Sequence, residues 1–100
     1  MEAQFDKQGS SLSIKVTGRL DTLASRDFMT QVTEQLDNGI RDVTIDCSGL
    51  EYISSSGLRV LMTIYKRTTP IGGTLTLKDL TSQVGEVLNI TGMATLFNIE

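Results

Sequence analysis

"VTIDCSGLEYISSSGLRVL", residues 43–61, contains the transition that decides the fold of this chain. In "DVTID", Val43 and Ile45 alternate with polar positions, which is the pattern of a short half-buried strand. Beyond the serines, Leu58, Leu61, Met62 and Tyr65 recur at helical spacing, and Val60 and Ile64 widen the apolar stripe. A second helix is therefore expected over about Ser56 to Thr68, with these residues turned to the core. "CSGLEYISSS" reads as the loop between strand and helix. Strand, loop and helix in this order make half of a crossover unit, and crossovers imply parallel strands.

The flanking sequence supplies the rest of the sheet. "SLSIKV", Ser11 to Val16, alternates strictly, and residues 2–7 read as an edge strand returning through the "KQGS" turn. "TGRLDT" breaks the alternation at Gly18 and offers Asp21 or Thr22 as a helix cap. Phe28, Val32 and Leu36 then recur every four residues, with Leu23 near the start, so an amphipathic helix is expected over Leu23–Leu36. Gly39 in "DNG" suits its left-handed end. After "TTPIGG", which cannot continue a helix, "TLTLK" is a third alternating strand. "TSQVGEVLNITG" gives a short helix capped by Thr81 or Ser82 and closed near Gly92, and "TLFNI" a last strand. The expected fold is α/β: one domain, 1–100, with a small mixed and largely parallel β-sheet. The alternation in its strands leaves one sheet face polar, so the helices should gather mainly on the other.

Composition narrows the function. The 100 residues include no histidine, which removes Ser-His-Asp and Cys-His chemistry and any histidine metal site. The acidic residues are scattered as single charges, and no catalytic residue, cofactor site or metal site is expected. A net charge of −3, with aromatics at 5%, argues against direct nucleic-acid binding. The single cysteine, Cys47, cannot form an internal disulfide and reads as a small core residue at a strand end. Nothing at the start reads as a signal segment and no apolar run approaches membrane-spanning length, so a cytoplasmic protein without membrane insertion is expected. "GGTLTLK" lacks the Lys-Ser/Thr of a phosphate loop and reads as a turn. A binding or switching role leads.

Ser54, Ser55 and Ser56 are where such a role would reside. The first N–H groups of a helix are unpaired and its dipole is positive there, so the place attracts anions. Capping uses one serine and leaves two. Gly57 should keep the adjacent backbone open to close approach. From the residues alone, these are exposed hydroxyls fit for phosphorylation or anion binding.

The stretch 43–61 resembles the signature of the STAS domain, in particular that of bacterial anti-sigma factor antagonists. In that family a strand with an acidic end leads to a loop reading approximately Asp-Ser-Ser/Thr-Gly-Leu at the start of the second helix. "VTGRLDTLAS" is similar to the family's Gly-x-Leu-Asp turn, and "IGGTLTLKDLTSQVGEVLNITGM" to its later strand and helix, so the likeness spans nearly the whole chain. It implies a phosphorylation-controlled binding module. When unphosphorylated, this would bind an anti-sigma factor with serine-kinase activity and so free a sigma factor, with a serine phosphatase resetting it. On this chain Ser55 takes the phosphoserine position, with Ser56 as second choice, while Ser54 stands where the family has Asp. The implied partner surface comprises Asp21, Thr22, Ser54, Ser55, Ser56, Gly57 and Arg59. Arg59, one turn after Ser55, lies within reach of a phosphate there or of a partner carboxylate. The alternative reading is a non-switching STAS subunit of a lipid-transport ATPase or signalling scaffold; a weaker third is a small-anion binder.

Overall fold

The computed structural model describes residues 1–100. Five strands, β1 (Glu2–Gln8), β2 (Ser11–Leu20), β3 (Asp42–Ile53), β4 (Leu75–Lys78) and β5 (Asn98–Ile99), form one sheet in the order of the chain. β1 pairs antiparallel with β2, and every later pairing is parallel. Three helices make the crossovers: α1 (Thr22–Leu36), α2 (Ser55–Thr68) and α3 (Ser82–Thr91). Parallel crossovers are almost always right-handed, so three that each step to the next strand in the same direction carry their helices to the same face. The core agrees with this. Leu12, Ile14, Val16, Val43, Ile45, Leu75 and Leu77 from the sheet join Phe28, Val32, Val60, Leu61, Ile64, Val84 and Leu88 from the helices in one buried cluster. The opposite sheet face carries Ser13, Lys15, Thr44, Asp46 and Lys78 around an open polar hollow. The small, mixed, largely parallel sheet with helices on one face is thus the observed architecture.

Several local expectations are corrected. The loop expected over 47–56 is mostly strand, because β3 continues to Ile53 while β2 runs on past Gly18 to Leu20, and its last two residues, Ser55 and Ser56, already belong to α2. Register shifts between Lys15 and Thr17, and again between Gly18 and Arg19, insert unpaired residues and disrupt the period-two pattern that sequence reading follows. Gly18, at φ +101, supplies the left-handed backbone there. Cys47 consequently lies inside β3 and not at its end; burial, with Asp46 and Asp79 nearby, pushes its thiol pKa up to about 12. Leu23, read as the start of the α1 stripe, is 74% exposed, and Ser25 takes the buried place. The Ser25 hydroxyl is satisfied by donating to the Asp21 carbonyl at 2.6 Å. α1 ends on Asp37 in right-handed conformation, and Gly39 takes the left-handed position two residues later, in the turn. In α2 the buried centre is Gly57, Val60, Leu61, Ile64 and Thr68. Leu58, Met62 and Tyr65 are half-buried at its margin, not central to it.

Candidate functional site

β2 and β3 are parallel and end in register, Leu20 beside Ile53, so the helices that follow them begin side by side. This places Asp21–Thr22 next to Ser54–Ser55 although the two pairs are far apart in sequence. Each helix is entered through an extended capping residue, Asp21 at φ −84, ψ −175 and Ser54 at φ −87, ψ 171.

Ser54 is the cap of α2, and α2 starts one residue earlier than its apolar spacing indicated. Its Oγ accepts the Gly57 N–H at 3.1 Å and donates to the Leu20 carbonyl at 3.0 Å. The Ser54 N–H donates to the same carbonyl at 2.9 Å. One side chain thereby ties the α2 entrance to the end of β2. Ser54 is only 8% exposed. Its expected place among the exposed hydroxyls is therefore corrected: it works from beneath the surface. Gly57 is corrected too. It faces inward, where a Cβ would lie 2.8 Å from Ile53 Cγ1 and 2.9 Å from Leu20 Cγ, so the glycine lets the helix seat on the strand ends and opens nothing to solvent.

With Ser54 and Gly57 turned in, Ser55 is turned out. It is the first residue of α2, it is exposed, and Ser56 beside it is half-buried. No acidic side chain stands in the first turn of α2, so no side chain of that turn neutralises the positive end of its dipole. Arg59 is exposed one helical turn further on. The three serines thus divide into a buried cap, an exposed hydroxyl and a half-buried neighbour, a distinction that their identical side chains hide in the sequence.

Thr22, Ser56 and Arg59 come together along a groove of about 410 Å³ between α1 and α2, with Ser25, Arg26, Met29, Thr30 and Val60. Asp21, though next to Thr22 in the chain, does not line this groove. Its Oδ1 accepts the Ala24 N–H at 2.9 Å, capping α1, and it lines a different hollow with Met1, Ala3, Leu23 and Asp27 on the β1 side of that helix. Two features escaped sequence reading. Arg26 and Met29 flank the groove from the edge of the α1 stripe, a signal available in their helical spacing from Thr22. The Arg19 guanidinium lies 4.2 Å from the centre of the Tyr52 ring, a cation–π pair at the paired ends of β2 and β3 that only the shifted register reveals.

On the facing row of the sheet, Asp46 has its carboxyl held below the usual range, first by the Ser48 N–H donating at 2.9 Å and then by the Ser48 hydroxyl, with Lys15 and Lys78 assisting against desolvation. With Asp6, the hollow on that face is lined by two carboxylates and two lysines. No helix is long and apolar enough to cross a membrane.

Comparison with known proteins gives a consistent family. The family model described as "Mlab, STAS domain" matches residues 3–98. The Bordetella bronchiseptica protein named "Putative anti-sigma factor antagonist BtrV" is 31% identical over 99 residues, spanning 99% of this chain and 85% of its own. Among solved structures, a Thermotoga maritima protein described as "a putative anti-sigma factor antagonist" superposes with a TM-score of 0.90 at 21% identity, covering 97% of this chain and 84% of that one. The Bacillus protein SpoIIAA superposes in its unphosphorylated form with a TM-score of 0.88 at 15% identity, covering 99% and 88%. Its phosphorylated form gives 0.79 at 14% identity, covering 99% and 91%. This chain, a single sheet-and-helix unit with its serine-bearing helix entrance, belongs to the STAS-domain family of bacterial anti-sigma factor antagonists.

Proposed function

We propose that this protein is a partner switch in the cytoplasm: with Ser55 bare it binds an anti-sigma factor that is also a serine kinase, and with Ser55 phosphorylated it lets go. The observation that carries the reading is the division of labour at the α2 entrance. Ser54 and Gly57 are buried and fix the backbone, so that Ser55 presents its hydroxyl to an incoming kinase from a rigid first turn. In the transfer the Ser55 Oγ forms a bond to the γ-phosphorus of ATP, the bond from that phosphorus to the β-bridging oxygen breaks, ADP leaves, and the hydroxyl proton passes to a base on the kinase. A serine phosphatase reverses the state by hydrolysis. The domain itself contributes binding and an acceptor, not a catalytic centre.

The test is incubation with ATP and the serine kinases encoded beside the gene, followed by mass spectrometric site mapping. Phosphate should appear on Ser55 and disappear in Ser55→Ala. Phosphate chiefly on Ser56, the half-buried neighbour, would move the acceptor by one residue and defeat this assignment.

A further inference from the structure

The groove between α1 and α2 has a charge the rest of the chain does not. The protein carries −3 overall, yet among the groove residues Arg26 and Arg59 are charged and no acid is present. Both arginines are exposed. The salt bridges of the molecule are Arg41–Asp42 and Arg67–Asp37, so neither groove arginine is paired. Their helical neighbours give the same answer: positions three and four residues away from Arg26 are Thr22, Leu23, Met29 and Thr30, and those around Arg59 are Ser55, Ser56, Met62 and Thr63. The one acid adjacent in sequence, Asp27, lines the hollow on the other side of α1. Between the arginines the groove has Met29 and Val60 as apolar lining, with Thr22, Thr30 and Ser56 supplying hydroxyls.

Two arginines over a short apolar lining do not suit an extended polyanion, which needs a longer run of cations. They suit one or two carboxylates carried on a protein segment with an apolar residue beside them, since guanidinium groups bind carboxylates bidentately. We propose that this groove is the docking site for an acidic segment of the anti-sigma factor, with Arg26 and Arg59 taking its carboxylates and the half-buried Met29, over the buried Val60, receiving the adjoining apolar side chain. The inference rests on the functional reading above and adds the chemistry of the partner. It also supplies a route for the switch. Arg59 is one turn from Ser55, so a phosphate on Ser55 pairs with Arg59 and withdraws it from the partner's carboxylates while adding like charge beside them.

Titration of the purified anti-sigma factor against the wild-type chain, Arg26→Glu, Arg59→Glu, the double variant and Lys66→Glu tests it, with circular dichroism confirming that each remains folded. Lys66 is exposed on α2 outside the groove. Each arginine reversal should weaken binding roughly ten-fold or more, the range of a lost charged interface contact, and Lys66→Glu should change it less than about three-fold. Replacing the partner's acidic residues by lysine should recover much of the loss. Phosphorylating Ser55 in Arg59→Gln should reduce affinity by a smaller factor than in wild type, because the arginine it withdraws is already absent. Undiminished binding by the double variant overturns the groove while leaving the switch intact. A wild-type chain that does not bind the anti-sigma factor at all overturns the functional reading and the groove with it.

Discussion

The two helix entrances at the top of the sheet are built to one plan and differ in one atom group. Both leave a parallel strand, both pass through an extended cap, and both close on the N–H three residues later: Ala24 on Asp21 at 2.9 Å, Gly57 on Ser54 at 3.1 Å. At α1 the cap is an exposed carboxylate, which satisfies the N–H and neutralises the dipole together. At α2 it is a buried hydroxyl, which satisfies the N–H, bonds the Leu20 carbonyl and neutralises nothing. α1 is thereby complete as it stands. α2 is fixed in position but electrostatically open, and the open end has an exposed serine on it. The contrast supports the proposal that Ser55, and not the start of α1, is where a phosphate would be carried.

Substitutions at the two entrances separate these roles, and the largest effect belongs to the buried one. Gly57→Ala forces a Cβ to within 3.0 Å of Leu20 and Ile53 side-chain carbons. Overpacking should outweigh the gain of about 1 kcal/mol in helix propensity and leave a net loss of roughly 1–3 kcal/mol in denaturant melts. Equal or higher stability would show that α2 is not seated on the strand ends. Ser54→Ala removes the cap and leaves the buried Gly57 N–H without a partner, a loss of about 1–2 kcal/mol. Asp21→Ala exposes an N–H that water reaches, so about 0.5–1 kcal/mol is expected, with a part that shrinks at high salt. An Asp21→Ala loss exceeding that of Ser54→Ala would reverse the comparison.

The comparison also shows what the sequence makes legible. Element order and the one-sided core follow from alternation in "SLSIKV" and "TLTLK" and from the four-residue spacing of Phe28, Val32 and Leu36. The long ends of β2 and β3 do not, because register shifts break the alternation just where Arg19 and Tyr52 meet. The site is legible in its parts: Ser55, Ser56, Thr22 and Arg59 all stand at the surface end of the sheet. What three identical serines cannot disclose is which one faces the core. That is settled by where Leu20 ends, 34 residues earlier in the chain. Arg26 and Met29 share a helix face with Thr22 in the sequence, but that this face borders a groove shows only once α1 and α2 are placed side by side.

The central claim is that phosphate on Ser55 acts at the interface and not on the fold. A phosphoserine adds about 1.5 to 2 negative charges. At the open end of α2 that charge meets unpaired N–H groups and the dipole, a gain of roughly 0.3–1 kcal/mol when exposed. Against a partner it would have to be desolvated and, on the proposed docking, would displace the partner's acids from Arg59, which is strongly unfavourable. The most direct measurement is a titration of the anti-sigma factor with Ser55-phosphorylated and bare protein, each melted in parallel by circular dichroism. The account predicts a steep fall in affinity with a melting temperature unchanged or slightly raised. Undiminished binding by the phosphorylated form, or a large drop in its melting temperature, would contradict it.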